Sequence, residues 1–486
     1  MTAPTMAAPR ADRWAWARRW YVAVGAAWLI RFVTMEHIPF VQTAIWREWF
    51  DQSRYFASAL ALAHGDLSPT SHWYPLAYPL VAAPFAWIIA GDPFVLPDLA
   101  LYLLTAAAFR RVAARLGIGG RAAALCFVAT TLIHGDQAGA WVHPWTTTLS
   151  AALIWWLAER TLSAMAGEGE DDGRLAFAIG ALAAAIPLVR PADVPIGLTC
   201  GLVTVAAIAM QRRRPWRRLV ALAAGGFAVL LPYAMLHLAI YGPHATPYMT
   251  AAAATGFIWS DLGWKAYVLL VSARPWFPDT DAILQVMPWI VPGAAGLAAA
   301  TLAGPARERR VAVLLIALIV PAGAVMLTYA DLQPPGLWRF GNMHYFKWMM
   351  PAFGAGLILV WQALWIPAGR RRVGAALAVL MLPLAIRIVP QRVDERSPAR
   401  MLQFHGATDR VWDEAFFAPV VIVDARGRME NVRNFHQVPD PAGERAIAIS
   451  RLFAADPRRD DPGERPPLPH QPPYARYGER ITLFGL

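Results

Sequence analysis

Apolar runs of about 15 to 25 residues, parted by short arginine clusters, recur from residue 20 to residue 390 and leave this chain few ways to fold. A helix needs roughly 20 apolar residues to cross the hydrocarbon core of a bilayer. With 57% hydrophobic and 16% charged residues, the chain carries more apolar surface than a soluble domain buries. The sequence therefore predicts an all-α polytopic membrane protein.

The net charge of +11 would suit a nucleic-acid binder, but its distribution argues against one. From residue 391 onward 14 Arg balance 14 Asp and Glu, so the whole excess lies in the apolar part. It belongs with membrane lipids, and no nucleic acid is implied. Cys126 and Cys200 both fall in apolar runs, where a thiol behaves as a small hydrophobe; no disulfide or thiolate metal site is expected. The first apolar run lacks a small-residue cleavage site and is expected to remain as a span.

Arginines gather at 10 to 19, 110 to 121, 212 to 218, 307 to 310 and 370 to 372. The positive-inside rule makes all five clusters cytoplasmic. Three apolar stretches, near 20 to 40, 76 to 90 and 96 to 112, separate the first two clusters, yet three crossings would put the second cluster outside. One stretch must not cross. "LAYPLVAAPFAWIIA" is short and carries Pro79 and Pro84, which assigns it to a juxtamembrane or re-entrant position on the outer face. Further spans fall near 122 to 134, 144 to 160, 175 to 190, 192 to 210, 217 to 240, 282 to 303, 311 to 330, 346 to 368 and 373 to 390. The result is about eleven transmembrane helices in a plasma (inner) membrane, multi-pass, with a cytoplasmic N-terminus and an extracytoplasmic C-terminus.

The outer connections, near 41 to 95, 241 to 281 and 331 to 345, are long and rich in Trp, Tyr, His and Pro. Such loops commonly carry function. After Pro390 the composition turns polar, which divides the chain into 1–390 and a tail or small domain, 391–486. The tail holds a strand-like "PVVIVDA", a Pro-rich "DPGERPPLPHQPPY" and a terminal "RITLFGL", as a small α/β appendage would.

The first outer connection contains the ordered string Asp51-Gln52-Ser53-Arg54-Tyr55, a helical pattern to Gly65-Asp66, then "HWYPLAYPLVAAPFAWIIAG". This order resembles the first outer loop of the GT-C fold glycosyltransferases, and most of all the lipid A aminoarabinose transferases and protein mannosyltransferases. The resemblance covers about the first third of the chain, residues 1 to 160; beyond that it is architectural. It implies a polyprenyl-phosphate sugar donor, an unidentified lipid, glycan or protein acceptor attacked at the outer surface, and a second helix lying along the membrane. The chain departs from the family at Gln52, where relatives often carry Glu, at Tyr74 before Pro75, where some carry Lys, and at His143-Pro144, where some carry an acid before Pro.

The chemistry follows independently. Transfer from a lipid phosphate needs a base for the acceptor hydroxyl, and Asp51 at the membrane surface suits that role. The leaving phosphate is a weak base and needs positive charge rather than a protonating acid. Asp51 is also of the type that caps helices, and the two roles are compatible. Around it, Arg54, Tyr55 and Tyr74 are candidate binding residues, with Arg54 equally suited to a surface ion pair. Glu48, three residues before Asp51, reads as a solvated loop acid.

Asp66 and His72 are candidates for the acceptor path or for plain loop solvation. "LWRFGNMHYFKWMM" gathers Arg339, His344 and Lys347 near a span entry, where they suit phosphate or, alternatively, interfacial snorkelling. Arg274 competes for the phosphate, and Arg190, before Pro191 between two spans, suits either a turn anchor or a lipid-phosphate contact. Arg31 and Glu36 are costly in lipid and are expected to face protein or water. His134, Asp136 and His143 are metal-capable types, but their spacing fits no strong ligand pattern, so no divalent metal cofactor is expected. Two other classes share this architecture: a transporter or flippase of lipid-linked sugars, with ionisable residues on broken helices at mid-membrane, and a polysaccharide polymerase or ligase of another fold. Here the ionisable residues concentrate in the outer connections, which favours the transferase.

Overall fold

The computed structural model describes residues 10–35, 50–89, 91–168, 173–211, 215–255, 257, 262–272, 281–329, 332, 337–338, 341–364, 420–423, 429–432 and 446–449. Two compact units emerge. The first comprises Met1–Thr246, Gly293–Ala322 and Met343–Val373, and the second Pro247–Pro292, Gly323–Asn342 and Gly374–Leu486.

The first unit is helical. Helices α1 (Arg10–Thr34), α4 (Val95–Arg115), α5 (Gly120–Leu132), α7 (Thr146–Met165), α8 (Gly173–Val189), α9 (Val194–Met210) and α10 (Pro215–Tyr241) follow the apolar runs. Between α1 and α4 lie two shorter helices, α2 (Phe50–Ala63) and α3 (Ala77–Ala82), and α6 (Gly135–Val142) separates α5 from α7. Punctuation residues set many of the ends. Gly117, with φ +75°, takes the left-handed conformation just past α4, and Pro191 stops α8 after Arg190 by removing a backbone donor.

An aromatic core ties α1, α4, α5, α6 and α7 together. Tyr102, Phe109, Phe127, Trp141 and Trp155 meet with ring centroids 5.0 to 6.1 Å apart. Trp28 Nε1 donates to Trp141 O at 3.0 Å, and the Tyr102 hydroxyl meets Thr131 Oγ1 at 2.8 Å. Helices α8 and α10 approach so closely that glycine is required. A Cβ on Gly180 would strike the Leu222 carbonyl, and one on Gly225 the Phe177 carbonyl. At the arginine-rich end of α4, Arg115 grips Glu168 with both terminal nitrogens, at 2.9 and 2.8 Å.

Three helical stretches among the described residues are long and apolar enough to cross a membrane: Pro191–Met210, Pro215–Tyr241 and Ala306–Thr328, the last being α15. Shorter apolar helices include α5, α8, α14 (Ile290–Ala303) and α16 (Met350–Leu364). Helix α10 is covered on one face only, leaving Phe227, Leu231 and Met235 exposed at 63 to 69%. Water would disfavour such a stripe; a bilayer accepts it.

The expected spans are met with differences. Residues 76 to 90 do not make one helix: α3 gives way at Ala83–Phe85 to a tight 3₁₀ turn, because Pro79 and Pro84 interrupt the ladder. Nothing there is long enough to cross. The run expected from 282 is broken: a single helical turn at Ile283–Val286 is followed by a turn through Pro288 before the longer helix begins at Ile290. Helix α1 starts ten residues before the apolar run and ends at Thr34. The span expected at 373 to 390 lies outside the described residues, as do Glu36 and Glu48.

The second unit contains α11 (Pro247–Thr255), α12 (Leu262–Ala266) continuing into a wider π turn at Tyr267–Val271, and α13 (Ile283–Val286). It also holds three strands: β1 (Val420–Val423), within "PVVIVDA", β2 (Met429–Val432) and β3 (Ala446–Ile449). They form an antiparallel sheet in the order β2-β1-β3, with Val420 opposite both Val432 and Ile449. The Pro-rich stretch and the terminal segment lie outside the described residues.

Candidate active site around Asp51

Helix α2 presents Gln52, Tyr55, Phe56 and Ala59 at i, i+3, i+4 and i+7, and all four are buried. Tyr55, Phe56 and Ala59 pack with Tyr78, Phe94, Trp145, Leu149 and Val189. That anchored face leaves Asp51, in the first turn, half-buried beside it. A carboxylate is favoured at a helix N-terminus. Its Oδ1 accepts a hydrogen bond from the Tyr74 hydroxyl. Gln52, where the family pattern has an acid, donates from Nε2 to Pro144 O at 3.0 Å and so ties α2 to the α6–α7 corner. Arg54 lies over the Trp73 ring, 5.7 Å from its centroid.

Asp66 and His72 are found together in one closed turn. Asp66 accepts from the Ser68 amide at 2.8 Å and from the Ser71 hydroxyl at 2.7 Å, and these bonds hold its carboxyl down at about 2. His72, fully buried, places Nε2 2.9 Å from the Asp66 carbonyl and Nδ1 2.7 Å from Ser58 Oγ. A carbonyl only accepts, so Nε2 carries the proton. The Tyr241 hydroxyl donates to the His72 carbonyl at 3.0 Å. The turn thereby fixes the chain that leads into Tyr74.

A second cluster gathers Arg190, His344 and Lys347, which the sequence scatters over more than 150 residues. Arg190, left at the end of α8 by Pro191, reaches Asp193 Oδ1 at 3.4 Å and covers the Tyr345 ring at 4.3 Å. Asp193 also accepts from Ser150 Oγ at 2.5 Å. His344 stacks on Trp145, with centroids 3.7 Å apart and planes 16° apart, and its Nδ1 meets Thr147 Oγ1 at 3.1 Å. Its Nε2 is buried with no hydrogen-bond partner among the described residues. Burial, with Arg190 and Lys347 nearby, holds this imidazole well below its usual pKa and therefore neutral.

Lys347 has 0% exposure, so it does not snorkel to an interface. Its Nζ donates to Ala140 O at 2.7 Å and Thr148 Oγ1 at 2.6 Å and sits over the Trp141 ring at 4.7 Å.

The corner at 143–148 serves both clusters: Pro144 receives Gln52, Trp145 belongs to the same buried apolar cluster as Tyr55 and Phe56 and stacks on His344, and Thr148 receives Lys347. Arg274 and Arg339 lie outside the described residues. His134 approaches Asp136 at 3.5 Å, but among the described residues no three His, Cys, Asp or Glu side chains are grouped to hold a metal.

Tyr78 and Asp98 were not singled out from sequence. The Tyr78 hydroxyl meets Asp98 Oδ1 at 2.8 Å and Oδ2 at 3.0 Å, both residues buried. An acid two residues into an apolar run was the available signal, since a carboxylate placed there needs a partner.

The described helices, three of them long and apolar enough to cross a membrane, define a mostly helical membrane protein with a small sheet in its second unit. Compared with known proteins, the chain matches no family model and no curated sequence.

Proposed function

We propose that the protein is a membrane glycosyltransferase that moves a sugar from a polyprenyl-phosphate donor to an acceptor hydroxyl at the extracytoplasmic face. The observation that carries this reading is the half-buried Asp51 carboxylate at the start of α2, joined through the 143–148 corner to a buried cationic cluster. The likeness of the Asp51–Tyr55 string to GT-C enzymes supports it, as does the broken helix at 77–85, which suits a segment lying along the membrane. The layout of about eleven spans with cytoplasmic arginine clusters belongs to the same reading.

In the reaction the acceptor oxygen attacks the anomeric carbon while its proton passes to an Asp51 carboxylate oxygen. The bond from the anomeric carbon to the phosphate oxygen breaks, and its electron pair leaves on the lipid phosphate. Attack opposite the leaving group inverts the anomeric centre. Positive charge stabilises the departing phosphate. We assign Arg190 to that contact, with His344 Nε2 beside it; Lys347, whose Nζ already has two acceptors, supports them from beneath. One carboxylate suffices, unlike the pair that glycosidases need.

The test is transfer from a polyprenyl-phosphate sugar by purified protein. Asp51→Asn should keep the fold and donor binding but lose about a hundredfold or more in turnover, the scale of a missing general base. Near-normal turnover in the variant would remove Asp51 from the role. An inactive wild type that moves lipid-linked sugar across vesicles would instead indicate a flippase.

A further inference from the structure

We infer that the seam between α4 and α7 is a binding site for one anionic phospholipid, its phosphate held by Arg111 and Arg160 beside the Trp156 ring and an acyl chain lying along Leu153. The seam is separate from the Asp51 site. Leu101 of α4 belongs to the buried cluster around Tyr55, and Arg111 follows it on the same helix by about 15 Å.

The covering of α7 points to this site. From Thr146 to Ala164 every residue of the helix is buried except Leu153, Trp156 and Arg160. These stand at i, i+3 and i+7 and so form one stripe on one face. The stripe passes from leucine to indole to guanidinium over about 10 Å, the order of chemistry from a hydrocarbon core to its headgroups. Helix α4 repeats it: Leu104 is 47% exposed, and Arg111, seven residues later on the same face, is exposed too.

The two stripes meet at the indole. Arg111 Cζ lies 4.9 Å and Arg160 Cζ 5.3 Å from the Trp156 ring centroid. A ring face attracts a guanidinium without neutralising it. Among the described residues Arg111 has no carboxylate partner, and Arg160 approaches one only through Nε, 3.3 Å from Glu159 Oε2. Arg115, one turn beyond Arg111, differs in that Glu168 takes both its terminal nitrogens. The terminal nitrogens of Arg111 and Arg160 therefore remain for a ligand, and the guanidinium fork matches phosphate oxygens. A free anion would leave the apolar half of the stripe uncovered; a phospholipid covers both halves, and basic pockets between membrane helices bind such headgroups.

Native mass spectrometry of the full chain in detergent, with equal phosphatidylglycerol and phosphatidylcholine, tests the site. One phosphatidylglycerol should be retained on the order of twentyfold over phosphatidylcholine, and Arg111→Gln and Arg160→Gln should each cut that preference about fivefold, the scale of one arginine at an anionic surface. Arg111 is exposed and makes no hydrogen bond among the described residues, so its variant should fold even where Arg160→Gln does not. Arg217→Gln is the control: Arg217 covers Trp216 at 5.4 Å on α10, with no second arginine over that ring among the described residues, and its loss should leave the preference unchanged. No preference in the wild type, an unchanged preference in folded Arg111→Gln, or an equal loss in Arg217→Gln overturns the site. Displacement of the lipid by inorganic phosphate would make it a site for a bare anion and overturn the lipid assignment.

Discussion

Lys347 is a fully buried lysine whose Nζ is met by a carbonyl, a hydroxyl and an indole face. Replacing it by methionine leaves the Ala140 carbonyl and Thr148 hydroxyl short of a donor in a dry setting, which costs about 1–3 kcal/mol. Lys347→Met should therefore lower the thermal midpoint in detergent, and donor use should weaken along with it. Arg190 is expected to behave differently. On the phosphate reading Arg190→Ala weakens donor use by about 1.5–3 kcal/mol, the scale for hydrogen bonds to charged groups, whatever the acceptor. Donor titrations that show unchanged affinity and turnover would confine Arg190 to its contacts with Asp193 and Tyr345. Asp51 was legible in the sequence because a carboxylate after the first span is conspicuous. Asp98 was not, because what makes it tolerable is Tyr78, twenty residues away and brought to it only by folding.

At the scale of elements, the approach of α8 to α10 depends on two glycines that face carbonyls. Gly180→Ala or Gly225→Ala places a methyl where the Leu222 or Phe177 carbonyl stands, so the helices must part; overpacking of this kind costs about 1–3 kcal/mol or more. Gly226, whose nearest atoms to an added Cβ are 3.8 and 3.9 Å away, should accept alanine with little effect. Thermal unfolding of the three variants in one detergent distinguishes the sites. The element most fully anticipated was the segment at 76 to 90, because two prolines in a short run break a helix whatever surrounds them. Helix α2 was legible as a helical pattern, but its burial was not, because that comes from partners as distant as Trp145 and Val189.

For the whole molecule, apolar helices such as α10, bare on all but one side, call for a bilayer, and the orientation proposed within it places the arginine clusters in the cytoplasm. On the proposed layout of about eleven spans, Gly91, exposed just before α4, and the tail beyond Pro390 would both face outward. Single cysteines at Gly91 and in the tail should then react with a membrane-impermeant thiol reagent in cells with a permeable outer barrier. Labelling of the Gly91 site only after the inner membrane is opened would mean that 76–90 crosses and that the orientation downstream is reversed.

Membrane residence, the helical class and the positions of most helices were determined by the sequence alone, because apolar runs and prolines act locally and their effect does not wait on distant partners. The gathering of Arg190, His344 and Lys347 and their link to Asp51 were decided only by tertiary structure. Their shared anchor, the corner at 143–148, is a stretch with no charged residue except a histidine, and its importance lies in what it touches on either side. Sequence periodicity reports which face of a helix is apolar; it does not report which two faces meet, and a buried polar group is identified by its partners.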